Sequence, residues 1–267
     1  MTAPSKPQVF IFETGFLFSS PGMVSLGTQR YSGTLLLAAS AQPFELEVDG
    51  RRRRESVALL RPFFVRNLHA QHAPLVSLGI SPNHPKYRAF SALAEPGCLG
   101  LDRSIFPQLQ APLHEVQAGG MGFAACERVF EQCIEAVTAV LPPLGPLDAR
   151  VERVMRLLEQ DHHRSTEELG ASVCLSYFHL SHLFSKAMGL TLRQYMLALK
   201  IRAACRHLKS GMNLTDTAHA AGFTDSAHLS RVWVKAFGGP PSYFLNRNSV
   251  SVQPGREATG QASKAAA

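Results

Sequence analysis

The chain has 267 residues, of which 45% are hydrophobic and 18% charged, and its 27 Lys/Arg against 20 Asp/Glu give a net charge of +7. This is the composition of a soluble globular protein with material for about two domains, and it excludes an acidic disordered chain. The longest uninterrupted apolar run, Leu35 to Ala39, falls far short of the ~20 residues that a membrane helix needs, so no membrane partner is expected.

Glu13 interrupts the apolar run from Val9 to Phe12, which leaves no secretory core; a cytoplasmic location is the default expectation. The cysteines at 98, 126, 133, 174 and 205 are odd in number and form no C-x-x-C pair. They are therefore read as small buried apolar residues rather than as a disulfide or zinc framework.

The charge is unevenly placed. Residues 1–147 hold 12 Lys/Arg against 11 Asp/Glu, whereas residues 148–247 hold 13 against 8 and seven of the 11 histidines. A near-neutral half followed by a basic half points to an anionic partner for the second, with double-stranded DNA first in line.

Residues 8–115 read as β-rich. Short apolar or alternating runs at 9–12, 34–37, 44–48, 57–60 and 75–78 are separated by Pro, Gly and Asn. Asp49-Gly50 after the alternating strand 44–48 predicts a type I′ hairpin, because that turn needs positive φ at both positions. Arg51 to Arg54 begin the return strand and are read as solvated charge at a hairpin tip, not as a DNA contact. Strands at this spacing predict a small barrel or jelly roll. The stretch 44–50, then 57–62 and 67–69, resembles the middle of a cupin-type sensor domain. Gly27 to Gly33 contains no histidine where the cupin metal motif would need its H-x-H pair, and His69, His72 and His84 form only a loose group. No metal site is expected.

Gly119-Gly120-Met121-Gly122 opens a predicted helix over 123–141, with Phe123, Cys126, Phe130, Ile134, Val137 and Leu141 on one face. That face packs on its own barrel or on a twin in a homodimer. Pro142, Pro143 and Pro146 end the helix and mark a linker. Residues 248–267 are small and polar and read as a disordered tail.

The basic half contains an internal repeat at an offset of 49. Residues 179–189 (HLSHLFSKAMG) lie over 228–238 (HLSRVWVKAFG), with six of the eleven positions identical. Before the first copy, Ser165-Thr-Glu-Glu168 is a capping box, and Ser176 caps the next helix. Before the second, Asn213 starts a short helix, Gly222 permits a tight turn, and Asp225 or Thr224 caps the helix 226–237. Short helix, turn and second helix make a helix-turn-helix unit, whose second helix enters the major groove. Helical phase puts Leu180, Leu183 and Phe184, and likewise Leu229, Val232 and Trp233, in the core. The opposite faces present Phe178, His179, Ser181 and His182 in the first copy and Ser226, Ala227, His228, Ser230 and Arg231 in the second. Arg231 suits a bidentate contact to guanine. The predicted helix 192–209 would hold the two units about 27 Å apart at 1.5 Å per residue, so that one monomer reads two adjacent groove segments.

The segment 147–247 strongly resembles the DNA-binding domain of AraC/XylS-type transcriptional regulators. The signature is Ala218-x-x-x-Gly222-Phe223-x-Asp225-x-x-x-Leu229-x-Arg231-x-x-x-Lys235-x-Phe237-Gly238-x-x-Pro241-x-x-Phe244. His182 stands where the family commonly has arginine, which leaves the first unit's base preference open. The resemblance implies a bacterial, usually activating, regulator with RNA polymerase as a partner and an N-terminal domain for a small-molecule effector or for dimerisation. The structural core it implies is Leu180, Phe184, Gly222, Phe223, Leu229, Trp233, Phe237 and Pro241.

The expected fold class is therefore α+β in two domains. Residues 1–141 form the β-rich, cupin-like sensor or dimerisation barrel with helix 123–141, and 142–147 the Pro-rich linker. Residues 148–247 form the all-α domain with two helix-turn-helix units, and 248–267 the tail. No cofactor and no catalytic residue is expected. Gly120-x-Gly122-x-x-Ala125 has no strand before it and no acid at the dinucleotide-fingerprint spacing, so a nucleotide-cofactor enzyme is disfavoured. A DNA-binding repair or methyl-transfer enzyme is the other alternative; the N-terminal half lacks the clustered cysteines it would need.

Overall fold

The computed structural model describes residues 6–40, 42–94 and 96–242, together with the backbone of 251–253. The N-terminal part is built on two sheets. Strands β1 (Gln8–Ile11), β2 (Gly15–Ser20), β4 (Gly33–Ala38), β7 (Val57–Leu60), β9 (Leu75–Ile80), β10 (Cys98–Gly100) and β11 (Ser251–Gln253) form a seven-stranded sheet in the order β10-β7-β4-β9-β2-β1-β11. Strands β3 (Met23–Gln29), β5 (Phe44–Val48), β6 (Arg51–Glu55) and β8 (Val65–Ala70) form the second, in the order β3-β8-β5-β6.

The alternation of β5 turns Phe44, Leu46 and Val48 inward, as period two requires. By contrast β4 and β9 are buried along their whole length. Leu36, Ala38 and Leu75 face the barrel interior, whereas Leu35, Leu37, Val76, Leu78 and Ile80 face the helices, so both faces of these strands are covered. The hairpin at Asp49-Gly50 has φ of 49° and 72°, as its type I′ reading requires. The arginine run forms β6, an edge strand with Arg51, Arg52 and Arg54 exposed and Arg52 3.5 Å from Glu47. Charge on such an edge blocks further strand pairing.

Helices α1 (Tyr87–Ser91), α2 (Gln110–Ala118) and α3 (Phe123–Ala139) cover the large sheet. Helix α2 directly precedes Gly119, so the glycine cluster links two helices and is no strand-to-helix phosphate turn. The apolar face of α3 lies on its own barrel: Phe12 stacks on Phe123 at 5.3 Å and on Phe130 at 5.0 Å, while Cys126, Cys133, Ile134 and Val137 are buried. Of the two alternatives for this stripe, packing on its own barrel is the one seen: the chain itself covers the stripe and leaves Arg128, Glu131, Gln132 and Glu135 outside. Two expectations change. Residues 251–253 of the segment read as a tail pair in parallel with Gln8–Phe10; the rest of 248–267 lies outside the described residues. Cys174 is exposed and Cys205 half-buried, because Cys174 sits in a turn at φ 55° rather than in a core.

The second part is all helical: α4 (Ala149–Gln160), α5 (Thr166–Ser172), α6 (Tyr177–Met188), α7 (Leu192–Lys209), α8 (Leu214–Ala220) and α9 (Ser226–Phe237). The two parts do not merely hang on the proline linker. One apolar cluster runs from the large sheet through Tyr87 and Phe90 of α1 to Leu180, Phe184, Tyr195 and Leu199. Arg88 donates to the carbonyl of Ala187 at 2.8 Å and to that of Gly145 in the linker at 2.6 Å, and the Ser91 hydroxyl donates to the carbonyl of Met188. A side chain at position 189 would strike the backbone of Ser91, so the helix end and α1 meet only because a glycine is there. Arg88→Ala should therefore lower stability by about 1 kcal/mol, since it takes a charged donor from the half-buried carbonyl of Ala187 and from the exposed one of Gly145. The check is the chemical-denaturation midpoint; an unchanged midpoint would mean that the contact adds nothing.

Candidate nucleic-acid interface

The two copies of the repeat fold alike to the residue. Helix α6 (177–188) displaced by the offset of 49 becomes α9 (226–237), and both end on a left-handed glycine, Gly189 at φ 71° and Gly238 at φ 80°. Both start on a side-chain cap: Ser176 accepts from the backbone N–H of His179, and Asp225 accepts from that of His228 at 2.6 Å. Each cap takes one of the orphan N–H donors of the first turn. The preceding helices begin as the spacing predicts, α5 with the full capping box of Ser165 and Glu168 and α8 with the Asn213 cap.

Helix α7 ties the units together. It begins on its own capping box, Thr191 with Gln194, and runs for 18 residues, about 27 Å at 1.5 Å per residue. Lys200 on this helix donates to the carbonyl of Gly222 at 2.8 Å. Gly222 has φ 78°, and a Cβ there would lie 3.1 Å from the His163 ring, so both conformation and space call for glycine. The linking helix thus holds the turn of the second unit directly.

Burial runs along one side of each helix. Leu180, Phe184, Phe223, Leu229, Trp233 and Pro241 are buried, and Phe237 is half-buried against Trp233 at 4.6 Å. Leu183 and Val232 sit at the edge of the same face, half-buried. On the other side His179, His182, Ala227 and Arg231 are exposed, while Ser181, Ser226, His228 and Ser230 are partly so. Phe178 is 81% exposed at the tip of α6, a position a buried core residue would not take. Nδ1 of His179 lies 3.0 Å from the Ser176 hydroxyl, and the His228 ring packs on Phe223 at 5.3 Å, so both imidazoles are oriented by their own units.

The structure adds outward residues that the sequence reading left out: Lys186 and Lys235 are exposed at matching positions of the repeat, and Val234 is 45% exposed. The identity of the two lysines across the copies was the available signal; Val234 has Ser185 opposite it and carried none. Phe244, the partner of Tyr195 in the repeat, lies outside the described residues.

Beyond the readers, the seam between the two parts leaves a cleft of about 390 Å³ where Glu13, Asn83 and Glu159 face His162, Arg202 and Arg206. Burial, then the neighbouring charges of His163 and Arg206, hold His162 below its ordinary range. Among the described residues no group of His, Cys, Asp and Glu is arranged to hold a metal, and no helix is long and apolar enough to cross a membrane.

Comparison with known proteins places this geometry. A helix-turn-helix domain family matches residues 169–247. The transcriptional activator NphR of Rhodococcus is 25% identical over 168 residues, covering 60% of this chain and 50% of NphR. The arabinose operon regulatory protein of Escherichia coli is 29% identical over 122 residues, covering 44% of this chain and 41% of its own. The chain thus spans half or less of the length of the curated relatives it matches. ToxT from Vibrio cholerae shares the fold with a TM-score of 0.53 at 12% identity, over 91% of this chain and 98% of ToxT. ToxT with an unsaturated fatty acid bound gives 0.51 at 13% identity, over 92% and 97%.

The assigned phase has a direct check. Trp233→Ala should destabilise the protein by about 3–5 kcal/mol through the cavity it leaves, read by denaturant unfolding; wild-type stability would mean that α9 is turned differently. Together, the paired units and the comparisons make residues 169–247 a helix-turn-helix domain, carried on a fold that ToxT shares.

Proposed function

We propose that the chain is a sequence-specific DNA-binding transcription regulator that acts as an activator, with the β-rich part sensing a small-molecule effector and the helical part reading DNA. The observation that carries this reading is the pair of superposable, capped helices α6 and α9, with polar and cationic residues facing out on a basic domain. Arg231 is assigned to a base edge, and Phe178 to thymine methyls, which apolar side chains contact in the major groove. Lys186 and Lys235 are assigned to phosphates, where a point charge positions the protein without reading sequence. The rigid α7 spacer lets one monomer present both heads to successive groove segments. RNA polymerase is the expected partner of the activating function, in line with the activator NphR. The fatty acid bound to ToxT supports a small-molecule effector.

No enzymatic role is proposed. A repair or methyl-transfer activity would require a reactive thiolate, since the thiolate is the nucleophile. Burial pushes four of the five thiols up, Cys98 and Cys126 to about 11 and Cys133 and Cys205 to about 12, and the exposed Cys174 lies in a turn of the helical part rather than in the N-terminal half.

Selection of bound duplexes from a random pool by the full chain tests the reading. Two enriched motifs about one helical turn (~34 Å) apart are expected; binding without any enrichment that simply fades with salt would overturn it. On the selected duplex, Arg231→Ala should cost about 1–3 kcal/mol of affinity and relax preference at one base pair, whereas Lys235→Ala should weaken all sequences alike. An unchanged base preference in Arg231→Ala would remove the arginine from the reading set.

A further inference from the structure

Two arginines are buried inside the N-terminal barrel with almost nothing to bind. Arg30, just after β3, is 6% exposed and Arg66, on β8, is 3% exposed. Each guanidinium carries five N–H donors and no acceptor. Arg30 makes one side-chain bond, from Nη1 to the Ser77 hydroxyl at 2.9 Å; Arg66 makes one, a long 3.5 Å contact to the carbonyl of Phe64. The Nε of each is buried without a partner. No carboxylate pairs with either among the described residues, and the charged neighbour that Arg66 feels most is Arg30 itself. Burial lowers Arg30 to about 10 and also holds Arg66 well below its ordinary value.

Two like charges in a dry interior are costly, and arginine does not shed its proton readily. A solvated-surface role is excluded by their burial. A purely structural role would require the carbonyls and carboxylates that are missing. The surroundings are otherwise suited to a ligand of one polarity. Ser77 and Thr34 are fully buried on the facing sheet, the Phe16 ring lies 5.7 Å from the Arg30 guanidinium, and Leu36, Leu60, Phe64 and Leu68 line the interior beyond.

We propose that Arg30, Arg66 and Ser77 form the anion-binding end of an effector site, and that the effector is a small organic acid whose carboxylate bridges the two guanidiniums while its apolar body lies among the barrel leucines. This deepens the sensor reading given above and rests on it. Planar carboxylates match the guanidinium fork, and the apolar lining favours an organic acid over inorganic phosphate. The site also lies where it can be felt. Tyr31, the next residue, is buried against the helical part, its ring 5.8 Å from Phe237 at the end of α9. Thr28, which pairs with Arg66 across a bulge in β3, would be 3.1 Å from a Cβ at Gly238. Both arginines are thus one or two residues from the segment that touches the second reading helix.

The test uses the full chain and acetate, the smallest carboxylate, as probe. Thermal unfolding is compared in sodium acetate, sodium chloride and sodium phosphate at equal ionic strength, and with acetamide added to chloride. Acetate should raise Tm over chloride in a saturating manner and acetamide should not; at ten times its Kd, acetate multiplies the folded-to-unfolded ratio about elevenfold. Arg30→Met and Arg66→Met should abolish that rise, and Arg66→Met should melt no lower than wild type in low-salt buffer without acetate, because it removes an unpaired buried charge. Equal Tm in acetate and chloride, a rise retained in both variants, or a rise with phosphate alone would each overturn the carboxylate site. A marked loss of stability in Arg66→Met would do so as well, by making the arginine structural. On the duplex selected above, wild-type affinity should differ between acetate and chloride, and that difference should vanish in Arg66→Met; a stability effect with no DNA effect would overturn the effector role. Failure of any of these leaves duplex selection intact, so it is distinct from failure of the regulator reading.

Discussion

The structure depends on how the β-rich part grips the C-terminal ends of α6 and α9, the second helices of the two helix-turn-helix units. A helix leaves its last carbonyls without intrahelical donors. In α6 two of them, on Ala187 and Met188, are taken by Arg88 and Ser91 of α1. In α9 the end is closed by Gly238 and lies against Ser25 and Thr28 of β3, with Phe237 against Tyr31. Helix-turn-helix proteins touch bases with the N-terminal residues of the reading helix. A grip at the opposite end therefore fixes the direction of each helix without covering the residues proposed to read DNA, and Phe178, His182, Ala227 and Arg231 stay exposed. With α7 setting the spacing, neither head can reorient without disturbing α1 or β3.

How legible this was depended on whether the signal was local. The caps were: Ser165, Ser176, Asn213 and Asp225 each bond the backbone as their position beside an apolar run predicts. So was the Asp49-Gly50 turn, since positive φ at two successive residues leaves few other choices. The repeat transferred from sequence to structure because both copies solve one packing problem with the same apolar spacing. Strands β2 and β3 went unseen. The first carries phenylalanines on successive alternate positions among serines, and the second is broken by a bulge between Ser25 and Thr28 that destroys the period. Helix α1 is five residues long, too short for a periodic signal. Its importance is tertiary, as is the burial of Arg30 and Arg66. Nothing near either arginine in sequence marks it as interior, and counted by charge alone they vanished into a near-neutral half.

What covers helix α3 was not legible for a related reason. An apolar stripe on a helix says that something covers it, not what. Phe10 of β1 and Phe12 just after it meet Phe123 and Phe130 within the chain, so intramolecular packing claims the face first. The outward residues of α3 are charged or amide-bearing, as expected of a surface kept in water.

The bulge in β3 draws these observations together. Register along β3 and β8 shifts between Ser25 and Thr28, Leu26 is left 62% exposed, and Thr28 pairs with Arg66 on one side while approaching Gly238 on the other. A bulge is a place where a strand can bend without losing its whole ladder. An interior that holds two unpaired guanidiniums is itself at a higher free energy than one in which they are neutralised. Any change that neutralises them is felt first in the strand carrying Arg66 and in the segment from Thr28 to Tyr31, the same residues that support α9. Helix α9 is thus mechanically closer to the barrel interior than α6, whose support comes from α1 on the far side of the large sheet. A signal arising in the barrel would consequently alter the Arg231 head before the Phe178 head, and its size is bounded by how differently the signal binds the two arrangements of that strand.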